Sequence, residues 1–251
     1  MGSASFVAQQ ASPEIPEVAR REAGADQQTF GFLPSGVIGY DGTMILLTGF
    51  NCFGNLEVNP SELIVESIAD RARKRGRTDL VTEVLPTEYQ RAGDRVCELI
   101  REVRPEAILA LGVAIGAPVL RLERVALNLD DTEAPDNAGK IIEGQLIDTG
   151  GPLAYWSSLP LTGMLEALDR LGVPAVISNH AGAFLCNHVF YIARHQVQQL
   201  GIPSRCGFIH VPGMSAGIAG DTDCGLPLNL MIEGIECCID VLRDARTPPA
   251  R

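Results

Sequence analysis

The stretch Gly182–Tyr191, GAFLCNHVFY, sets a thiol, Cys186, in an apolar run that opens where a glycine-containing turn gives way to a helix. Backbone N–H groups and the positive end of the helix dipole gather at such a start. Both favour a thiolate, and the same N–H groups could hold an oxyanion. A thiol nucleophile needs a base, and the chain has four histidines, at 180, 188, 195 and 210. At about 100° per residue, His188 stands roughly 200° around the helix from Cys186 and His195 roughly 180°, so both face away. His210, in GFIHVP, ends a following strand just before a proline, and His180, in AVISNHA, ends the strand before the turn. His210 is the leading base and His180 the reserve, on the expectation that the two strands are parallel neighbours. Glu123, within RLERVALN, is a third candidate near a strand end. Each has a duller reading. Cysteine is among the most buried residue types, a strand-end histidine is usually only hydrogen-bonded, and a glutamate in a strand usually faces solvent.

The elements that would position these groups follow an α/β pattern. Short apolar runs such as TMILLTGF, LVTEVLPT, EAILALGVA, RLERVALNL, PAVISNHA and SRCGFIHVP read as strands. Between several of them lie helical periods. One opens at Asn59-Pro60-Ser61-Glu62 and runs to Lys74, and others span Tyr89–Val103, Thr162–Leu171 and Phe184–Leu200, with a last amphipathic helix in LPLNLMIEGIECCIDVLRDA. The fold class expected is α/β, a single-domain open, mainly parallel twisted sheet with helices on both faces. Active groups in such sheets sit beyond the strand C-termini. Residues 1–42 differ in composition and read as an N-terminal extension, with the domain spanning 43–251.

The net charge of −11 over 251 residues argues against a nucleic-acid surface. No apolar run reaches membrane length and no secretory signal is visible, so neither nucleic acid nor membrane is an expected partner. Seven cysteines without a CxxC or a disulfide-like spacing fit a reducing cytoplasm. A zinc site drawing on His180, Cys186, His188 and His210 is disfavoured because a Cys-x-His pair points its ligands apart on a helix. GFNCFG lacks the spacing of a dinucleotide fingerprint. No metal or organic cofactor is expected.

Six collinear segments carry a family resemblance: ILLTGFNCFGNLEVNPS, VLPTEY, ERVALNLDDTEAPDN, GGPLAYWSSLP, SNHAGAFLCNHVFY and GFIHVP. In these the chain resembles the pyroglutamyl peptidase I (pyrrolidone-carboxylate peptidase) family of cysteine peptidases. The resemblance implies a triad of Cys186 as nucleophile, His210 as acid and base, and Glu123 as the residue that orients the imidazole. It implies a pocket for a flat lactam ring at Phe50, Phe53, Thr87, Phe184 and Leu185, and a small peptide or amide as substrate. Three positions depart from the family pattern: Val113 replaces a glutamine, Ala117 an arginine, and Glu133 a second arginine. The loss of positive charge opens an alternative, that the same triad hydrolyses a different small amide or lactam, with Glu133 helping to select it. Family members are often tetramers, and the apolar strip LNLMIEGIECCIDVL could pack on its own domain or across the interface of a homo-oligomer, dimer or tetramer.

Overall fold

The computed structural model describes residues 44–54, 56–215 and 225–244, so the expected N-terminal extension over 1–42 lies outside the described residues. In chain order the elements are β1 (Ile45–Phe50), α1 (Pro60–Lys74), β2 (Leu80–Leu85), α2 (Tyr89–Val103), β3 (Ala107–Ala114), β4 (Leu120–Leu127), β5 (Asp130–Thr132), β6 (Ile142–Gln145) and β7 (Ala154–Trp156). They continue with α3 (Leu161–Leu171), β8 (Ala175–His180), α4 (Leu185–Leu200), β9 (Arg205–Pro212) and α5 (Leu228–Asp244). The start of α1 obeys the local chemistry. Asn59 Oδ1 accepts the Ser61 N–H at 3.0 Å ahead of Pro60, which has no N–H to lose.

The main sheet runs β2-β1-β3-β9-β4-β7, with β8 also paired to β4. β1, β2, β3 and β9 are mutually parallel, and β4 runs parallel to β8 but antiparallel to β9 and β7. Because β8 and β9 both pair with residues 121–123 of β4, they lie on its opposite edges. The expectation that the strands bearing His180 and His210 are parallel neighbours is therefore corrected. The 3-residue strand β7 and the irregular β5–β6 hairpin, shifted in register at Asp130/Thr132, were not separable from loop in the sequence.

Alternation along the central strands divides the core in two. Leu109, Leu111, Ile209 and Val211 face α1, α3 and α5, whereas Ile108, Ala110, Cys206 and Phe208 face α2 and α4. Both faces are covered, which is why β3 reads as an almost unbroken apolar run. The strip on α5 turns inward, burying Met231, Ile232, Ile235, Cys238, Ile239 and Leu242. Within α3, a Cβ added at Gly163 would find its nearest neighbour at an ordinary 3.9 Å, on Val241. Gly163→Ala should therefore stabilise the protein by about 0.5–1 kcal/mol in chemical denaturation, through helix propensity alone.

Candidate functional site

Glu123 is 0% exposed in β4, contrary to the solvated face that a strand glutamate usually occupies. Its neighbour across the ladder is Phe208, and His210 stands two residues further along β9 on the same face of the sheet. The diagonal brings His210 Nδ1 to 2.8 Å from Glu123 Oε1, which fixes the ring and leaves its other nitrogen for Cys186.

Cys186 reaches this imidazole through β3 rather than through β8. Gly112 is the register partner of His210 in the parallel β3–β9 pair. A Cβ built at Gly112 would lie 2.7 Å from Cys186 Sγ and 2.8 Å from Phe208 Cζ, so the sulfur occupies space that any side chain would take. The N-terminus of α4 is held there by Asn187, which is fully buried. Its Nδ2 donates to the carbonyls of Leu127 and Leu129, both at 2.9 Å, and its Oδ1 accepts the Leu127 N–H at 2.8 Å. Phe184 at the N-cap supplies no side-chain acceptor, so the first N–H groups of α4, Cys186 among them, have no side-chain cap among the described residues.

The titration of His210 reflects this setting. Burial pulls it down, but the negative sulfur of Cys186 and the Glu123 carboxylate push it up further, to about 9. The raised value keeps the imidazole a cation at neutral pH, bonded to Glu123 on one side. The other histidines are engaged elsewhere. His188 Nδ1 sits 2.7 Å from Asp130 Oδ2, and His195 Nδ1 2.8 Å from Tyr155 Oη. The reserve base His180 is exposed, and its Nδ1 accepts the Gly182 N–H at 3.1 Å.

Cys186 forms part of the wall of a cavity of about 180 Å³. Phe50, Phe53, Thr87, Phe184 and Leu185, all expected there, do line it, joined by Asn59, Val113 and Ile115. Phe184 packs on Phe53 at 5.4 Å between centroids and meets the edge of Tyr89 at 5.6 Å. The result is a small, mostly apolar slot with a few fixed polar groups.

A family model for pyroglutamyl peptidase matches residues 43–245. The chain belongs to the pyroglutamyl peptidase family. It is 43% identical to the pyrrolidone-carboxylate peptidase of Oceanobacillus iheyensis over 168 residues, 67% of this chain and 83% of that protein. With the pyrrolidone-carboxylate peptidase of Pyrococcus furiosus the identity is 38% over 168 residues, 67% of this chain and 80% of the other. Among solved structures, pyroglutamyl peptidase I from Bacillus amyloliquefaciens superposes with a TM-score of 0.74 at 33% identity, covering 80% of this chain and 95% of its own. By membership the chain is an enzyme, a cysteine omega-peptidase.

In this member of the pyroglutamyl peptidase family the three departures fall in different places. Val113 lines the slot, Ala117 lines a second, open cavity of about 440 Å³, and Glu133 is exposed and lines neither. Glu133, expected at the recognition rim, does not line the slot. After Thr132 the chain turns, with the Ala134 N–H donating to Thr132 Oγ1 at 3.1 Å, and Glu133 is exposed on it. The sequence reading also missed residues that brace the slot. Asn51 Oδ1 accepts the Thr87 N–H at 2.8 Å, and Asn137 Nδ2 donates to the Cys52 carbonyl at 2.8 Å. Asp136 accepts the Tyr89 N–H at 2.9 Å. Their signal lay in the quoted blocks GFNCFG and APDN, as polar residues in turns, but nothing in those blocks says what each would hold.

Proposed function

We propose that this enzyme removes an N-terminal pyroglutamyl group with Cys186 as nucleophile, His210 as acid and base, and Glu123 as the residue that orients His210. The observation that carries it is one line of contacts: a fully buried carboxylate, an imidazole bonded to it, and a sulfur pressed against the glycine beside that imidazole. The thiolate attacks the acyl carbonyl, with the lactam ring in the slot of Phe50, Phe53, Thr87, Phe184 and Leu185. The free N–H groups at the start of α4 face the oxyanion. The His210 imidazolium gives its proton to the departing amine, and the C–N bond breaks to leave a thioester. The neutral imidazole then takes a proton from water, whose oxygen attacks the thioester, and pyroglutamate leaves as the thiolate and imidazolium are restored.

The comparisons give no support to a different acyl group. A chromogenic pyroglutamyl amide tests the reading, with turnover expected. Silence on that amide, with other small lactam amides cleaved, would overturn it. Free thiols at 52, 97, 206, 237 and 238 support work in a reducing, cytoplasmic compartment. Leu153, before the edge strand β7, and Trp156 on it, exposed at 80% and 68%, support assembly as a homo-oligomer.

The His210 shift gives a pH expectation. A folded-state value raised from 6.5 to about 9 means the native protein holds this proton more tightly. The stability it contributes is complete below about pH 6.5 and is lost as pH rises through about 9. For the same reason kcat/KM on the amide should fall only as pH passes through about 9, where the leaving amine loses its proton donor. Denaturation midpoints and a rate profile check both, and a basic fall already complete near the ordinary histidine value would contradict them.

A further inference from the structure

One cation beside the triad takes no part in the steps above. Arg121 lies two residues before Glu123 on β4, so both side chains leave the same face, and its partner across the antiparallel ladder is His210 itself. Arg121 Nε stands 3.8 Å from Glu123 Oε1, the oxygen that holds the imidazole. Its Nη2 donates to Ser178 Oγ on β8 at 3.1 Å, which anchors the guanidinium from the other edge. Glu123 Oε2 is buried with no partner among the described residues, so the carboxylate has only these neighbours to answer its charge.

The charges around Glu123 can be counted element by element. α4 contributes Cys186, the thiolate of the proposed mechanism, β9 the His210 imidazolium and β4 Arg121, while Ser178 on β8 contributes a neutral hydroxyl. With Cys186 in the thiolate form that the mechanism uses, thiolate, imidazolium and carboxylate sum to one negative charge around the buried Glu123 and His210, and an unanswered buried charge is costly. Arg121 brings the sum to zero. We propose that Arg121 is a positioning residue that neutralises the Cys186–His210–Glu123 cluster and holds Glu123 in line with His210. The proposal rests on the reading of those three as the triad.

The test compares Arg121→Gln, Arg121→Lys and Ser178→Ala in the full chain. Two readouts are followed against pH: kcat/KM on a pyroglutamyl amide, and the rate of Cys186 alkylation by iodoacetamide. Loss of the positive charge makes every protonation in the cluster easier. Arg121→Gln should therefore move the acidic and basic limbs of the rate profile, and the acidic limb of alkylation, toward alkaline pH by about one pH unit. That is the low end for an adjacent charge, because the Arg121 side chain is 43% exposed. Arg121→Lys and Ser178→Ala should keep the wild-type limbs, even where the rate drops. A uniform loss in Arg121→Gln with every limb in place would overturn the proposal and leave Arg121 as a tie between β4 and β8. Failure of the wild type on the amide would instead sink the functional reading, and the alkylation profile would still decide the role of Arg121.

Discussion

Cys186→Ala should abolish turnover of a pyroglutamyl amide, lowering kcat by roughly 10⁴-fold or more, with little change in thermal stability. Removing the nucleophile of a triad costs about as much as removing the whole triad, because the remaining groups act only through it. The sulfur is only partly buried, and truncation to a methyl group leaves the contacts of Leu185 and Asn187 in place. Steady-state rates and a denaturation curve on the same preparation check it. Six cysteines are free among the described residues, so a drop confined to this variant, absent from Cys52→Ala and Cys97→Ala, separates a nucleophile from general thiol loss.

Gly112→Ala carries the second large effect. The new methyl group would sit 2.7 Å from Cys186 Sγ and 2.8 Å from Phe208 Cζ, closer than side-chain carbons approach. Something must move. Phe208 is 0% exposed against Phe190 and His210, so the sulfur at the helix mouth has more freedom than the ring. A displacement on the order of 1 Å at a reacting atom costs roughly 100-fold, so kcat/KM should fall by about that factor. Overpacking should add a destabilisation of about 1–3 kcal/mol. Kinetics beside Gly163→Ala, where the added carbon has room, make the contrast.

Much of this arrangement was legible beforehand, and the reason lies in local chemistry. The span Tyr89–Val103 follows from its apolar period, and Asn59-Pro60 announces a helix start before any contact is known. Cys186, His210 and Glu123 could be named because each ends or interrupts an apolar strand or helix start, and the structure brings them together. Less legible was the path between them. Strand order is set by pairings far apart in the chain, so nothing in SNHAG or GFIHVP says that β4 separates β8 from β9. The close approach of Cys186 to Gly112 spans 74 positions and leaves no periodic trace. The absence of Glu133 from the slot lining was not legible either, because a motif position fixes a residue's order but not the direction its turn sends it. Ala117 and Arg121 line the same open cavity, so the guanidinium beside this triad enters from a strand position that no motif marked.

The central claim is that sulfur 186, with its imidazole partner, attacks an acyl group seated in the aromatic slot. A crystal structure of the enzyme with a pyroglutamyl aldehyde tests it most directly. The account predicts a covalent bond from Cys186 Sγ to the former aldehyde carbon, with the lactam ring between Phe53 and Phe184 and the new oxygen toward the α4 N–H groups. An adduct on another thiol, or a ring bound in the open cavity beside Arg121 with Cys186 unmodified, would contradict it.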